Sequence, residues 1–321
     1  MKTILVSSAG RRVGLVNCWR QAAADAGIGL TIIGSDLDPD MSAACRIADR
    51  RYPVPRCDAP DFIDAMLDIC RDNAVDLIVP TIDTELQVLS RNVSRFDAVG
   101  TRIHVSDPDT IAIVRDKKKT MEVLQKAGIP VPLTADPQEV AAAPERWSWP
   151  LFLKPRGGSA SQGLEVVASV EDIRDRYEEP VILQEYVNGP EYTVNVFVDN
   201  AGTMRCAVPH ERLRIRAGEV EKGVTRHRAD LDELAGRIVE AMPGLRGVFC
   251  FQVMVDPDRG PQVIEINARF GGGYPLADRA GAKYCRWLLE EISDLPSTAT
   301  SDWSPGIMMI RYDEALFLET A

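Results

Sequence analysis

Four polar residues, Gln252, Glu265, Asn267 and Arg269, sit where the sequence otherwise reads as core strand. Residues 248–255 (VFCFQVMV) are apolar apart from Gln252, and residues 256–261 (DPDRGP) are rich in chain breakers. Residues 262–267 (QVIEIN) then return as a second strand. Alternation places Glu265 and Asn267 on one face, and the hairpin sets Gln252 beside them across the ladder. Three oxygen donors on one face, only one of them charged, suit a hard divalent cation that keeps phosphate oxygens among its ligands. Arg269, two residues on, offers a bidentate fork to a phosphoryl group. Any one of the four alone could face water at a sheet edge. Together, inside apolar strands, they read as a site.

The elements that must position them follow from periodicity. Strands at Thr3–Ser7, Leu30–Gly34, Arg51–Val54, Asp76–Thr81 and Arg102–Ser106 alternate with helical segments, among them residues 42–49 and 61–70. This βαβ alternation predicts an open, mostly parallel sheet. A boundary is expected near residues 106–109 (SDPD), then a helix over 108–128 ending at Pro130 and Pro132. Shorter strands follow at 150–155, 164–167, 181–187, 192–198 and 205–208, with helices over 170–177 and 231–242 and a tail strand over 306–311. The glycine-rich run 156–163 (RGGSASQG) can fold over phosphates, because glycines let backbone N–H groups approach closely. It is not a Walker A loop, since no G-K-[ST] follows.

Bulk properties exclude several classes. The 321 residues are enough for about two domains. Lys plus Arg number 37 against 48 Asp plus Glu, a net charge of −11, which argues against nucleic acid as the main partner. No apolar run is long enough to span a membrane, and the opening MKTILVSSAG reads as a first strand, not a signal peptide. Seven cysteines without a C-x-x-C pair read as reduced thiols of a cytoplasmic protein, and the three histidines have no metal-ligand spacing.

Taken in order, these motifs resemble the ATP-grasp superfamily, and within it ligases related to the carbamoyl-phosphate synthase large subunit. The resemblance covers most of the chain, including residues 7–12 (SSAGRR), Asp36 and residues 80–85 (PTIDTE). It implies an α/β fold: a Rossmann-like pre-ATP-grasp domain over 1–113, then an ATP-grasp domain over 114–321. The small lobe would span about 121–186 and the large lobe about 187–321. Lys117 and Lys154 take the places of the family's two ATP lysines, although the register within Lys117–Lys119 comes from the family's D-K pattern. A strand-end ammonium at Lys154 can reach phosphate oxygens. Gly157, Gly158, Ser159 and Gly163 would form the phosphate lid. Residues 184–192 (QEYVNGPEY) resemble the hinge, with Gln184, Glu185 and the Val187 N–H at adenine and Glu191 on the ribose hydroxyls. Gln252, Glu265 and Asn267 match the Mg²⁺ positions, where Mn²⁺ could substitute, and Arg269 matches the residue that steadies the γ-phosphate. The turn 271–275 (GGGYP) resembles the acceptor-side loop. The loop 210–226 carries six basic residues, counting His210. Arg216 is taken as its phosphate or carboxylate ligand, a solvated charged loop being the alternative.

The resemblance implies an ATP-dependent carboxylate–amine ligase that works through an acylphosphate, with small-molecule carboxylate and amine substrates. A homodimer is compatible with it. Phosphorylation of carbamate or bicarbonate, and a non-catalytic ATP-binding regulator, stay open as alternatives. A dinucleotide oxidoreductase is disfavoured, because residues 9–14 lack the G-x-G-x-x-G spacing.

Overall fold

The computed structural model describes residues 1–157 and 163–318. Its first third is a five-stranded parallel sheet. The strands are β1 (Lys2–Ser7), β2 (Leu30–Asp36), β3 (Arg50–Pro53), β4 (Leu77–Pro80) and β5 (Arg102–Ile103), in the order β3-β2-β1-β4-β5. The strand order reverses at β1, so the crevice beyond the ends of β1 and β4 is a natural ligand position. Leu15, Val16, Trp19, Ala22 and Ala23 fall on one face of the helix Val13–Ala26, which they bury. That helix ends at Gly27 in the left-handed conformation, where a glycine carries no steric cost.

Two antiparallel sheets follow. The smaller holds β6 (Thr134–Ala135), β7 (Leu151–Pro155), β8 (Glu165–Val167) and β9 (Val181–Glu185), in the order β6-β9-β7-β8. The larger holds β10 (Glu191–Val198), β11 (Met204–Arg216), β12 (Glu219–Thr225), β13 (Gly247–Asp256), β14 (Gly260–Asn267) and β15 (Met308–Ile310). Its order is β14-β13-β10-β11-β12-β15. The chain is thus α/β, with a parallel-sheet unit leading into two antiparallel lobes. No helix among the described residues is long and apolar enough to cross a membrane.

One hydrophobic cluster ties the first sheet to the largest one. Ile4, Val6 and Trp19 pack with Val208, Phe270, Tyr274, Tyr284 and Trp287. Trp19 meets Phe270 edge-on at 6.2 Å and Phe270 meets Tyr274 at 4.8 Å, both in the T-shaped geometry that aromatic quadrupoles favour. These rings bracket the turn 271–273 and hold it against the parallel-sheet unit.

Four local expectations change. The loop over 210–226 is instead a hairpin of the outer half of β11 and β12. The helix over 108–128 is two helices, Pro108–Val114 and Lys117–Lys126. Asp116 adopts an extended conformation and caps the second, its side chain accepting from the Lys119 N–H at 3.2 Å. The helix over 170–177 reduces to one 3₁₀ turn, Val170–Asp172, after which Ile173 and Tyr177 still pack against the core of the smaller sheet. The helix over 42–49 shortens to Ala43–Ile47.

Candidate active site

A cleft of about 290 Å³ opens between the two antiparallel sheets. β7 places Lys154 on one wall, and β13 and β14 place Gln252 and Glu265 on the other. Gln252 pairs directly with Glu265, and Cys250 with Asn267. The register slips between Gln252 and Val253, and Ile264 is the unpaired extra residue. That bulge turns Ile264 and Glu265 towards the cleft together.

The cleft divides into an apolar and a charged end. Phe152, Leu164, Val187, Met254 and Ile264 give it apolar walls, as a flat heteroaromatic ring requires. Gly189, which lies in the left-handed region at φ +135°, seats the β9–β10 turn against β13. A Cβ there would come within 2.1 Å of the Val255 carbonyl oxygen. At the charged end Lys154 Nζ donates to Gln184 Oε1 at 2.7 Å, and Gln184 Nε2 donates to Thr134 Oγ1 at 2.9 Å. Gln184, almost fully buried, therefore orients the lysine. Burial lowers the Lys154 pKa to about 8, against the pull of Glu265. Lys117 lines the same cleft, and burial lowers its pKa too, again opposed by Glu265. Burial raises the Glu265 pKa, with Lys117 and Lys154 holding it down.

Beyond Gln252 and Glu265 lies a second cavity of about 180 Å³, which also takes in Asn267, Arg269 and Gly271–Gly273. Arg269 Nη2 donates to Asp83 Oδ2 at 2.6 Å and to Asn267 Oδ1 at 3.1 Å, while its buried Nε has no partner among the described residues. Burial works against the Arg269 cation, but Asp83, Cys250 and Glu265 together outweigh it, so its pKa is raised. A Cβ at Gly272 would sit 2.5 Å from the Glu219 carboxyl carbon, so a larger residue there would displace that side chain.

Of the residues singled out in the sequence, Lys117, Lys154, Gln184, Glu185, Val187, Glu191, Gln252 and Glu265 line the first cavity. Asn267 and Arg269 line the second. Gly157 and Gly163 flank the loop, and Gly158 and Ser159 lie outside the described residues. Two expected roles meet competition. Glu185 is ion-paired with Arg259 at 2.8 Å, and Glu191 is ion-paired with Arg212. Arg216 is not brought to either cavity: it is half exposed and held by Asp313 at 2.6 Å and Glu221 at 3.2 Å. Arg212 stands there instead, its side chain buried, bonded to Glu191 and the Gly218 carbonyl, with Nε unpartnered among the described residues. Alternation along a strand favours neither arginine, and two bulges between Arg212 and Ile215 turn the outer half of β11 away. Asp83 and Arg12, which lie in the runs 80–85 and 7–12 that carry the family resemblance, both line the second cavity from the parallel-sheet unit.

The donor chemistry fits Mg²⁺. Gln252, Glu265 and Asn267 supply oxygens only, and Glu265 is a buried carboxylate whose charge needs a cation. No group of three or more His, Cys, Asp or Glu with metal-binding geometry occurs among the described residues, so a chelating set must include the two amides.

Comparison with known proteins adds two family matches. Residues 114–273 match the ATP-grasp domain, and residues 4–104 match the PylC-like, N-terminal domain. The C-terminal section of the carbamoyl phosphate synthase large chain from Methanopyrus kandleri is 25% identical over 259 residues, 68% of this chain and 45% of that one. The chain thus spans less than half the length of that relative. A D-alanine--D-alanine ligase from Pseudomonas entomophila is 33% identical over 213 residues, 58% of this chain and 66% of that one. Among solved structures, biotin carboxylase from Campylobacter jejuni superposes with a TM-score of 0.75 at 19% identity, over 94% of this chain and 73% of that one. At that identity the likeness speaks to the fold.

Proposed function

Given that the chain belongs to the ATP-grasp superfamily of ligases, we propose that it is an ATP-dependent carboxylate–amine ligase that works through an acylphosphate and releases ADP and phosphate. The observation that carries this reading is the opposition across one cleft of two lysines, Lys117 and Lys154, to the oxygen-donor wall of Gln252 and Glu265. Phosphoryl transfer asks a protein for little else than positioning and charge neutralisation.

The adenine lies between Phe152 and Leu164 on one side and Met254 and Ile264 on the other, with the Val187 N–H at its edge. Lys117 and Lys154 hold phosphate oxygens, and Gln184 keeps Lys154 aimed at them. Gln252, Glu265 and Asn267 hold Mg²⁺, which when bound neutralises phosphate oxygens as charge shifts during transfer. Arg269 and Arg212 point the γ-phosphoryl group into the second cavity. There a substrate carboxylate oxygen attacks phosphorus and the bond to the ADP oxygen breaks. The amine nitrogen then attacks the acyl carbon, phosphate leaves, and the nitrogen gives up its proton. Residues 1–113 form the unit that closes the far side of the second cavity through Arg12 and Asp83.

The likeness to carbamoyl phosphate synthase favours one second reading, in which bicarbonate or carbamate is the phosphorylated acid. Both readings are tested by ADP and phosphate release with Mg²⁺-ATP across a matrix of carboxylates and amines. Release that needs one carboxylate and one amine supports the ligase. Release with bicarbonate or carbamate alone moves the protein to the second reading. ATP binding with no release anywhere contradicts both.

A further inference from the structure

The second cavity does not end at the Gly271–Gly273 turn. It continues into a groove of about 500 Å³ between the Arg11–Arg12 turn and the tail after β15. The two spaces share Arg11, Arg12, Glu219, Gly271 and Gly272 as walls. The groove is thus a route from solvent to the place where the γ-phosphoryl group would point.

Its inner end carries more positive charge than it can neutralise. Arg12, largely buried, pairs with Glu219 at 3.0 Å and donates to the Thr81 carbonyl at 3.3 Å. Arg311 pairs with the same Glu219 at 2.8 Å and donates to the Gly272 carbonyl. Arg11 is exposed on the groove wall and has no hydrogen bond or ion pair to another described residue. At this inner end three guanidinium groups share the one carboxylate of Glu219, while the outer wall sets Arg216 against Glu221, Asp313 and Glu314. The cations crowd each other as well: burial lowers the Arg12 pKa, Glu219 and Asp83 oppose it, and Arg269 and Arg311 lower it further. In a chain of net charge −11, an unmatched cationic end inside a groove calls for an anion from outside.

The activated carboxylate cannot be that anion throughout, because it must reach Arg269 in the inner cavity. Arg311 lines the groove and not the inner cavity, and Arg11 stands exposed where the two spaces meet. We infer that the groove anchors a second anionic group on the carboxylate substrate, with Arg11 and Arg311 as its ligands and Arg12 at the junction. The substrate class is then a small dicarboxylate or a comparably dianionic acid. This deepens the ligase reading and rests on it for the identity of the inner carboxylate.

Binding, read without turnover, keeps failure of the anchor separate from failure of the ligase reading. Calorimetric titration of the full chain with matched pairs, glutarate against butyrate and succinate against propionate, isolates the second carboxylate. The expected result is at least about tenfold tighter binding of the diacid in one pair, a difference of about 1.4 kcal/mol. Arg11→Ala, which removes an exposed side chain that holds nothing else in place, brings the diacid to within about twofold of its partner on the same scale. Addition of salt narrows the gap as well. Equal binding within every pair, no binding of either diacid, or a diacid advantage unchanged in Arg11→Ala overturns the inference. Absence of ADP release in the separate turnover assay bears on the ligase reading alone.

Discussion

Arg269 reaches across the junction between the largest sheet and the parallel-sheet unit to donate to Asp83 at 2.6 Å. Both side chains are largely buried. Asp83 begins the helix Asp83–Ser90 that follows β4, so the first sheet sets the aim of an arginine carried by the last third of the chain. The neighbouring Glu85 fixes that helix start: its buried carboxylate accepts from Ser7 Oγ at 2.6 Å and from the Thr81 N–H at 2.8 Å.

Asp83→Asn should therefore act on the reaction more than on nucleotide binding. It keeps the shape and removes the charge that holds Arg269. In the proposed reaction kcat falls by about a hundredfold, the scale set by misplacing a reacting group by about 1 Å. The KM for ATP changes little, and Asp83→Glu restores part of kcat. A rise in the KM for ATP at constant kcat would rule out this positioning role.

Arg212 and Arg216 separate cleanly in a mutational comparison. Arg212→Ala removes a cation from the cavity wall and should lower kcat/KM by about a hundredfold or more, as loss of a transition-state donor does. Arg216→Ala breaks ion pairs on an exposed edge and should cost far less. Because Glu191 is tied to Arg212, Glu191→Ala should raise the KM for ATP and also lower kcat. Steady-state kinetics on the three variants checks the set. Equal losses at Arg212 and Arg216 would contradict the assignment.

Glu265→Ala removes the sole carboxylate of the oxygen-donor wall. ATP turnover should drop by at least about a hundredfold in a protein whose circular dichroism is unchanged. The apparent Mg²⁺ affinity, read from the metal dependence of nucleotide binding, should weaken in parallel. Wild-type turnover in the folded variant removes the metal assignment.

Lys154 supplies a pH signature. Its pKa, lowered by burial to about 8, means that its charge is lost as pH rises through that value in the free enzyme. The kcat/KM for ATP, which reports the free enzyme, should fall above about pH 8. Lys154→Arg should remove that limb. Stability runs the other way. Between about 8 and 10.5 the unfolded chain binds a proton that the folded chain has released, so Lys154 makes the fold more stable as pH rises across that window. Lys154→Met should flatten that slope in chemical denaturation.

The hairpin was legible because its site residues keep a period of two, although Ile264 bulges out beside them. Glu265 and Asn267 are two apart on a short strand, and a breaker-rich turn leaves one plausible partner register, which the Gln252–Glu265 pair occupies. The βαβ third was legible for the same reason, from apolar strands and helical stripes such as Leu15, Val16 and Trp19. Arg212 was not legible, because it lies four residues from Arg216 and alternation gives both the same face; only the bulges on β11 separate them. Asp83 was not legible as a partner of Arg269, since 186 residues separate them and only the shared core brings them together. The break at Asp116 escaped because an N-cap inside an apparently continuous helical stripe leaves the stripe intact.

The most direct measurement follows the oxygen that the proposed reaction moves. A carboxylate labelled with heavy oxygen is turned over with Mg²⁺-ATP and its amine partner, and the released phosphate is weighed by mass spectrometry. Phosphorylation of the carboxylate predicts one labelled oxygen in each phosphate, with ADP as the nucleotide product. Unlabelled phosphate, or AMP with pyrophosphate, would contradict an acylphosphate ligase.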